Sequence, residues 1–188
     1  NYASVNSSFS SGGIIGRVIT TLPTSSVLFD KCRNYRDLFG QSHVGGIVGS
    51  MEPKGGETKF IDCENNGALV STGDGRGNYS AGGLVGSVDE CASPIVVDGC
   101  INRGTVQSDR TDVSSPAGGL FGSVSFVKAS SFSVSNSMNI GSVSGPFAAG
   151  FYTTNKLDHG HFTVINCVNK GTISGTNVYG IGDTIHQG

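Results

Sequence analysis

Apolar residues in this chain recur in short alternating runs bounded by Gly, Ser, Asn and Asp, and nowhere form a 3.6-residue stripe of useful length. Alternation flanked by turn residues predicts strands, so the chain reads as all-β. The runs repeat. Aligning one Asn in each copy gives Asn1, Asn34, Asn65, Asn102, Asn139 and Asn169, which stand 33, 31, 37, 37 and 30 residues apart. Such periods mark solenoids, propellers or arrays, and a propeller blade takes about 40 residues or more. Units near 30 residues are expected to hold two or three short strands each. The reading is a parallel β-solenoid, a right-handed β-helix of about six coils forming one segment over residues 1–188 with Gly- and Asn-marked corners. A ring closed by exchange of a terminal strand is the alternative.

Stacking the units exposes their columns. Four residues after the Asn the position is always aliphatic: Val5, Leu38, Leu69, Val106, Val143 and Ile173. Two residues before the Asn stand Cys32, Cys63, Cys100, Ser137 and Cys167, and three before those stand Phe29, Phe60, Val97, Val134 and Val164. All three columns are expected to face inward. Because side chains alternate along a strand, two inward residues three apart require a bend or bulge between them. The Cys column reads as small, nearly apolar packing. Ser137 within it and a total of five cysteines argue against a pairing scheme, and Cys91 is placed in a loop. Neither CxxC nor paired His accompanies the cysteines, so no metal is called for.

The Asn column, Asn34, Asn65, Asn102, Asn139 and Asn169, is expected to form an amide ladder at a corner, since each amide both donates and accepts along the stack. Two residues on, Gly67, Gly104, Gly141 and Gly171 are expected to take the left-handed conformation, with Ala3 and Arg36 breaking the pattern. A glycine signal marks a second corner: GGIIG from Gly12, GGIVG from Gly45, GGLVG from Gly82 and GGLFG from Gly118, with worn copies AAGFY from Ala148 and YGIG from Tyr179. Alternation after it points Leu84, Gly86 and Val88 inward. It sends Arg17, Ser50, Ser87 and Ser123 to water and leaves Ile15, Val48, Val85 and Phe121 as an exposed apolar column.

Composition narrows the function. The chain is 36% hydrophobic and 14% charged, with 30 Gly, five Pro and no Trp. Its formal net charge of −2 leaves no footprint for nucleic acid or an anionic membrane. No apolar run reaches the roughly 18 residues that span a bilayer. The chain starts on an Asn landmark and stops past the last glycine motif without a polar cap. It is therefore read as a segment of a longer array whose ends would stack on further repeats or on other copies.

GGLVG followed by CINRGTV resembles the GLUG repeat, named for its Gly-Leu-hydrophobic-Gly core. The match is good at 45–49, 82–86 and 118–122, fair at 12–16 and poor in the last two units. The resemblance implies a non-catalytic part of a large secreted or surface protein, as in adhesin-like proteins and the non-catalytic region of some immunoglobulin A1 metalloproteases. It transfers no catalytic residue.

Candidate chemistry is sparse. The insertions at 71–80 and 107–117 fall in adjacent units and would bring Asp74, Arg76, Asn78, Tyr79, Asp109, Arg110 and Asp112 together, with Tyr79 as a stacking platform for a sugar. Cleavage of a polysaccharide needs paired carboxylates, a base or calcium on one groove, and the acids, Asp62 and Glu64 among them, form no ladder. His159 and His161 supply two ligands, fewer than a metal site requires, and His43 and His186 lack partners in sequence. The column Ser4, Asp37, Ala68, Thr105, Ser142 and Thr172 is too mixed for the flat Thr face of an ice binder. Asn6 and Asn78 sit in N-glycosylation triplets, which favours secretion. The expectation is a stiff extracellular or cell-surface segment without cofactor, in contact with itself, surface glycans or matrix. A carbohydrate-binding module at the two insertions comes second, and a polysaccharide lyase or hydrolase third.

Overall fold

In the computed structural model the described residues are 1–73, 79–109, 115–127, 130–157 and 160–182, with backbone alone at 154–157 and 160. They form 27 short strands and no helix. Every strand pairs in parallel with its equivalent one turn away. One turn contains five strands, Val27–Asp30, Arg33–Asn34, Leu38–Gly40, His43–Gly45 and Val48–Pro53. Their equivalents build sheets that we number I to V in that order. Sheets III and IV have six strands and the others five, so the solenoid makes about five turns. Five strands per turn exceed the two or three expected because each corner interrupts a run after two to seven residues.

The expected columns meet in register. Leu38, Leu69, Val106 and Val143 pair in sequence along sheet III and are fully buried, with Val5 and Ile173 half-buried at the two ends. Phe29, Phe60, Val97, Val134 and Val164 stack in register in sheet I, the first four buried and Val164, in the last coil, exposed. Two apolar clusters result. The smaller lies between sheets III and IV, around Leu69, Val44 and Ala81. The larger lies between sheets I and V and holds Phe60, Val85, Ile95, Phe121 and Phe132. Within it the rings of Phe29 and Phe60 stack at 4.7 Å, while Phe121 meets Phe132 edge-on at 4.9 Å. Each fully buried Phe or Leu contributes roughly 1.5–3 kcal/mol of transfer free energy.

The bend expected before the Cys column is a left-handed residue. Lys31, Asp62, Asn136 and Asn166 have φ between 49° and 53°, and Gly99 has φ 65°. Asp and Asn tolerate this region best among residues with a Cβ. The carbonyl before the bend accepts the amide of the left-handed residue one coil back, as Ile61 O does from Lys31 N and Asp98 O from Asp62 N, both at 2.9 Å, and the side chain at the Cys position adds a second bond to it. Cys63 Sγ lies 3.4 Å from Ile61 O, Cys100 Sγ lies 3.5 Å from Asp98 O, and Ser137 Oγ donates to Ser135 O at 2.7 Å. A small side chain with one weak or strong donor suits the position, which explains why Cys and Ser share it. All five cysteines are free. Cys91 is not in a loop: it ends the strand Val85–Cys91 and is fully buried.

The Asn ladder is unbroken. Asn34, Asn65, Asn102 and Asn139 each donate through Nδ2 to Oδ1 of the next Asn at 2.8 Å, and Asn1 joins Asn34 at 3.1 Å. The second Nδ2 hydrogen closes the corner on the carbonyl two residues ahead, as in Asn102 to Gly104 O at 2.9 Å. The Gly residues at those carbonyls are not left-handed, contrary to expectation. They are required by proximity: a Cβ on Gly104 would lie 1.9 Å from Gly67 O in the neighbouring coil.

The glycine corner packs against this ladder from across the interior. A Cβ on Gly83 would stand 2.0 Å from Gly119 O and 2.6 Å from Asn102 Cγ. The two repeated sequence signals are thus halves of one contact. Beyond this corner strict alternation fails. Val85 and Val88 are both buried in the larger cluster although three residues apart, as are Val48 with Met51 and Phe121 with Val124, so the strand is irregular at Gly86 and Ser87 and at their equivalents in the two adjoining coils. The column Val48, Val85 and Phe121 is therefore core, not an exposed stripe, and only Ile15 of that set is open, at 38% exposure. Gly86 faces sheet IV, where a Cβ would come 2.6 Å from Val44 N. Ser50, Ser87 and Ser123, expected in water, are buried.

Candidate functional site

The two insertions leave and rejoin the solenoid side by side, since Ser71 pairs with Ser108 and Ala81 with Ala117. Of the residues expected there, Asp74, Arg76, Asn78, Arg110 and Asp112 lie outside the described residues. Asp109 is exposed and accepts a hydrogen bond from Gln107 Nε2. Tyr79 is 3% exposed, so its ring is part of the interior and presents no platform to a sugar. It stands one residue before the strand Ser80–Gly82, which is buried throughout.

Other calls resolve singly. Asn6 is exposed on the strand Val5–Ser7, as an acceptor for a glycan must be. His161 is exposed, and His159 and His186 lie outside the described residues. Among the described residues no three of His, Cys, Asp and Glu gather to hold a metal ion. Asp62 and Glu64 do not act as a carboxylate pair. Asp62 occupies the left-handed bend, while Glu64 bridges Arg33 at 3.4 Å and Arg103 at 2.6 Å across three coils.

A site that sequence reasoning missed lies where sheets IV and V meet. Three successive coils line a cleft of about 450 Å³: Ser10, Gly16 and Arg17 from one, Ser42, His43 and Ser50 from the next, and Asp89 from the third, with Phe9 at the rim. Register places them. Ser80 pairs with His43, and Arg17, Ser50 and Ser87 follow one another in sheet V. His43 Nδ1 is 2.9 Å from Ser80 Oγ, Ser10 Oγ is 2.8 Å from Ser50 Oγ, and Ser87 Oγ donates to Asp89 Oδ1 at 2.8 Å. Burial lowers the His43 pKa below that of an ordinary imidazole. The Asp89 carboxylate opposes the shift and the Arg17 guanidinium adds to it. Arg17 is itself ion-paired with Glu52, which Lys54 also holds at 2.9 Å. Beside the cleft sheet V closes on sheet IV at a glycine, since a Cβ on Gly86 would meet Gly49 O at 2.5 Å and Val44 N at 2.6 Å. Neither the irregularity nor the meeting of residues some 30 to 80 positions apart has a signature in a single repeat unit.

A second cleft, of about 310 Å³, runs beside Asp109 and is lined by Gln107, Ser108, Ser144, Pro146, Ser174 and Thr176 among others. Comparison of the chain with protein-family models, with curated proteins and with solved structures gives no match.

Proposed function

We propose that this chain is a non-catalytic structural segment of an extracellular repeat array of the GLUG kind, serving as a stiff stalk, fibre or adhesive surface. The observation that carries the reading is the Asn ladder, which links all six repeat landmarks without interruption. A polar column of this sort has its hydrogen bonds directed along the stack. Its reward is therefore registration of one coil on the next, and each coil contacts only its neighbours. Length grows by about 4.8 Å per coil and stiffness by continued hydrogen bonding. End-to-end or lateral contact between copies is part of the same proposal, as are surface glycans or matrix as partners. Exposed Asn6 in its acceptor triplet supports secretion.

Small-angle scattering on the single chain and on two copies joined in frame tests the mechanical part. The maximum dimension should rise by the full length of the added coils. A joined pair that folds back into a globule of the same dimension would sink it. Antibody labelling of intact source cells tests location, and staining that appears only after permeabilisation would remove the surface assignment.

A further inference from the structure

The cleft between sheets IV and V has features that rod formation does not use. Its volume of about 450 Å³ falls within the roughly 300–1,000 Å³ of small-molecule sites. Phe9 stands at its rim 80% exposed, an isolated ring with its faces in solvent. The polar groups beneath are held by one another. The Asp89 carboxylate is oriented by Ser87 and the Ser10 and Ser50 hydroxyls are paired. His43 is fixed by Ser80 through Nδ1, so Nε2 is the nitrogen left for a ligand. Such second contacts pre-organise donors and acceptors before anything binds.

We infer that this cleft binds a neutral hexose or N-acetylhexosamine unit of a glycan, laid against Phe9 and held through its hydroxyl groups by Asp89, the Ser10 and Ser50 pair and His43. An exposed aromatic ring offers its face to the C–H bonds of a pyranose, and a carboxylate accepts two neighbouring hydroxyls. The charge balance selects against anions. Among the described residues the only cation lining the cleft is Arg17, which is neutralised by Glu52, and the Asp89 carboxylate repels a phosphate, sulfate or uronate. Among the described residues a single carboxylate lines it, which leaves no acid and base pair for glycoside cleavage, so the site retains its ligand unchanged. This inference is independent of the array reading, since a rod may lack the site and the site needs only three coils.

Saturation-transfer NMR and titration calorimetry with the methyl glycosides of glucose, galactose, mannose, N-acetylglucosamine and N-acetylgalactosamine test it. Glucuronate, N-acetylneuraminate and inorganic sulfate form the anionic arm. At least one neutral glycoside is expected to bind. Phe9→Ala and Asp89→Asn should each weaken it about tenfold or more, the loss expected for a stacked ring or a charged hydrogen bond. Phe9→Trp should restore binding, and Lys59→Ala, at an exposed position of sheet I, should leave it unchanged. Far-UV circular dichroism identical to that of the parent shows that each variant is folded. Three results overturn the assignment: no neutral sugar binds, only the anionic arm binds, or affinity survives both Phe9→Ala and Asp89→Asn.

Discussion

Replacing Asn102 by Ala tests the claim that the amide ladder holds the coils together. Asn102 is fully buried at the middle of the stack. It donates to Asn139 Oδ1 at 2.8 Å and to Gly104 O at 2.9 Å, and accepts from Asn65 Nδ2 at 2.8 Å. Alanine removes all three bonds and strands a donor on Asn65, an acceptor on Asn139 and the Gly104 carbonyl. An orphaned buried group costs about 1–3 kcal/mol. With partial relaxation, the total is about 3–6 kcal/mol, a large share of the roughly 5–15 kcal/mol that holds a typical domain. Asn169→Ala is the internal control. It strands only Asn139 Nδ2 and Gly171 O at a half-buried site, so about 1–2 kcal/mol is expected. Guanidinium unfolding followed by far-UV circular dichroism measures both. Because solenoids can open coil by coil, native-state hydrogen exchange adds a local reading. The amides of Arg103 and Ile140, which bond to Asn65 O and Asn102 O, should lose protection first. An Asn102→Ala protein within about 1 kcal/mol of the parent, with those amides still protected, would refute the reasoning.

Three further outcomes follow from the same geometry. Gly83→Ala should prevent folding or cost more than about 3 kcal/mol, because its Cβ meets Gly119 O and the Asn102 amide. Gly180→Ala, with nothing within 4 Å of the added atom, should be neutral or slightly stabilising, and equal thermal midpoints for the two would contradict the packing. Half-buried Cys32 and Cys167 should be alkylated by iodoacetamide in the native protein. Cys63, Cys91 and Cys100 should react only on unfolding, since they are buried, with the Cys91 thiol pushed up to about 11 by desolvation and the Cys100 thiol raised further by its bond with Cys63. Early labelling of Cys100, read by peptide mass, would be the contrary result. For His43, burial places the folded pKa below the unfolded value of 6.5, so folding favours the neutral ring. Its stabilisation is complete above about pH 6.5 and is lost as pH falls from there through the lowered folded value. Thermal midpoints of the parent should decline over that window more steeply than those of His43→Gln, and parallel curves would count against a buried neutral imidazole.

The parallel solenoid, the inward columns and the Asn ladder were legible in the sequence because each arises from an identity repeated at one position per unit. Stacking in register turns such a repeat into a contact between like residues, as from Asn65 to Asn102 or from Leu69 to Val106. The bend before the Cys column was also legible, since alternation forbids Phe60 and Cys63 from sharing one straight inward-facing strand. The left-handed residues at the bend carried a fainter mark, the run Lys31, Asp62, Gly99, Asn136 and Asn166, in which Asp, Gly and Asn predominate.

Other features required the folded chain. That Gly83 and Asn102 touch, and that Gly104 is spared a Cβ for lack of room rather than for its φ, depends on distances across the interior. The irregularity at Gly86 and Ser87 buries Val85 and reverses the expected exposure of that column, and only the stacking of three coils gathers His43, Arg17 and Asp89 at one cleft. Repetition along a chain specifies what lies above and below each residue, because successive turns present the same position again. It does not specify what lies opposite, because that is decided by how sharply each corner turns, and corner angles come from packing the whole cross-section at once.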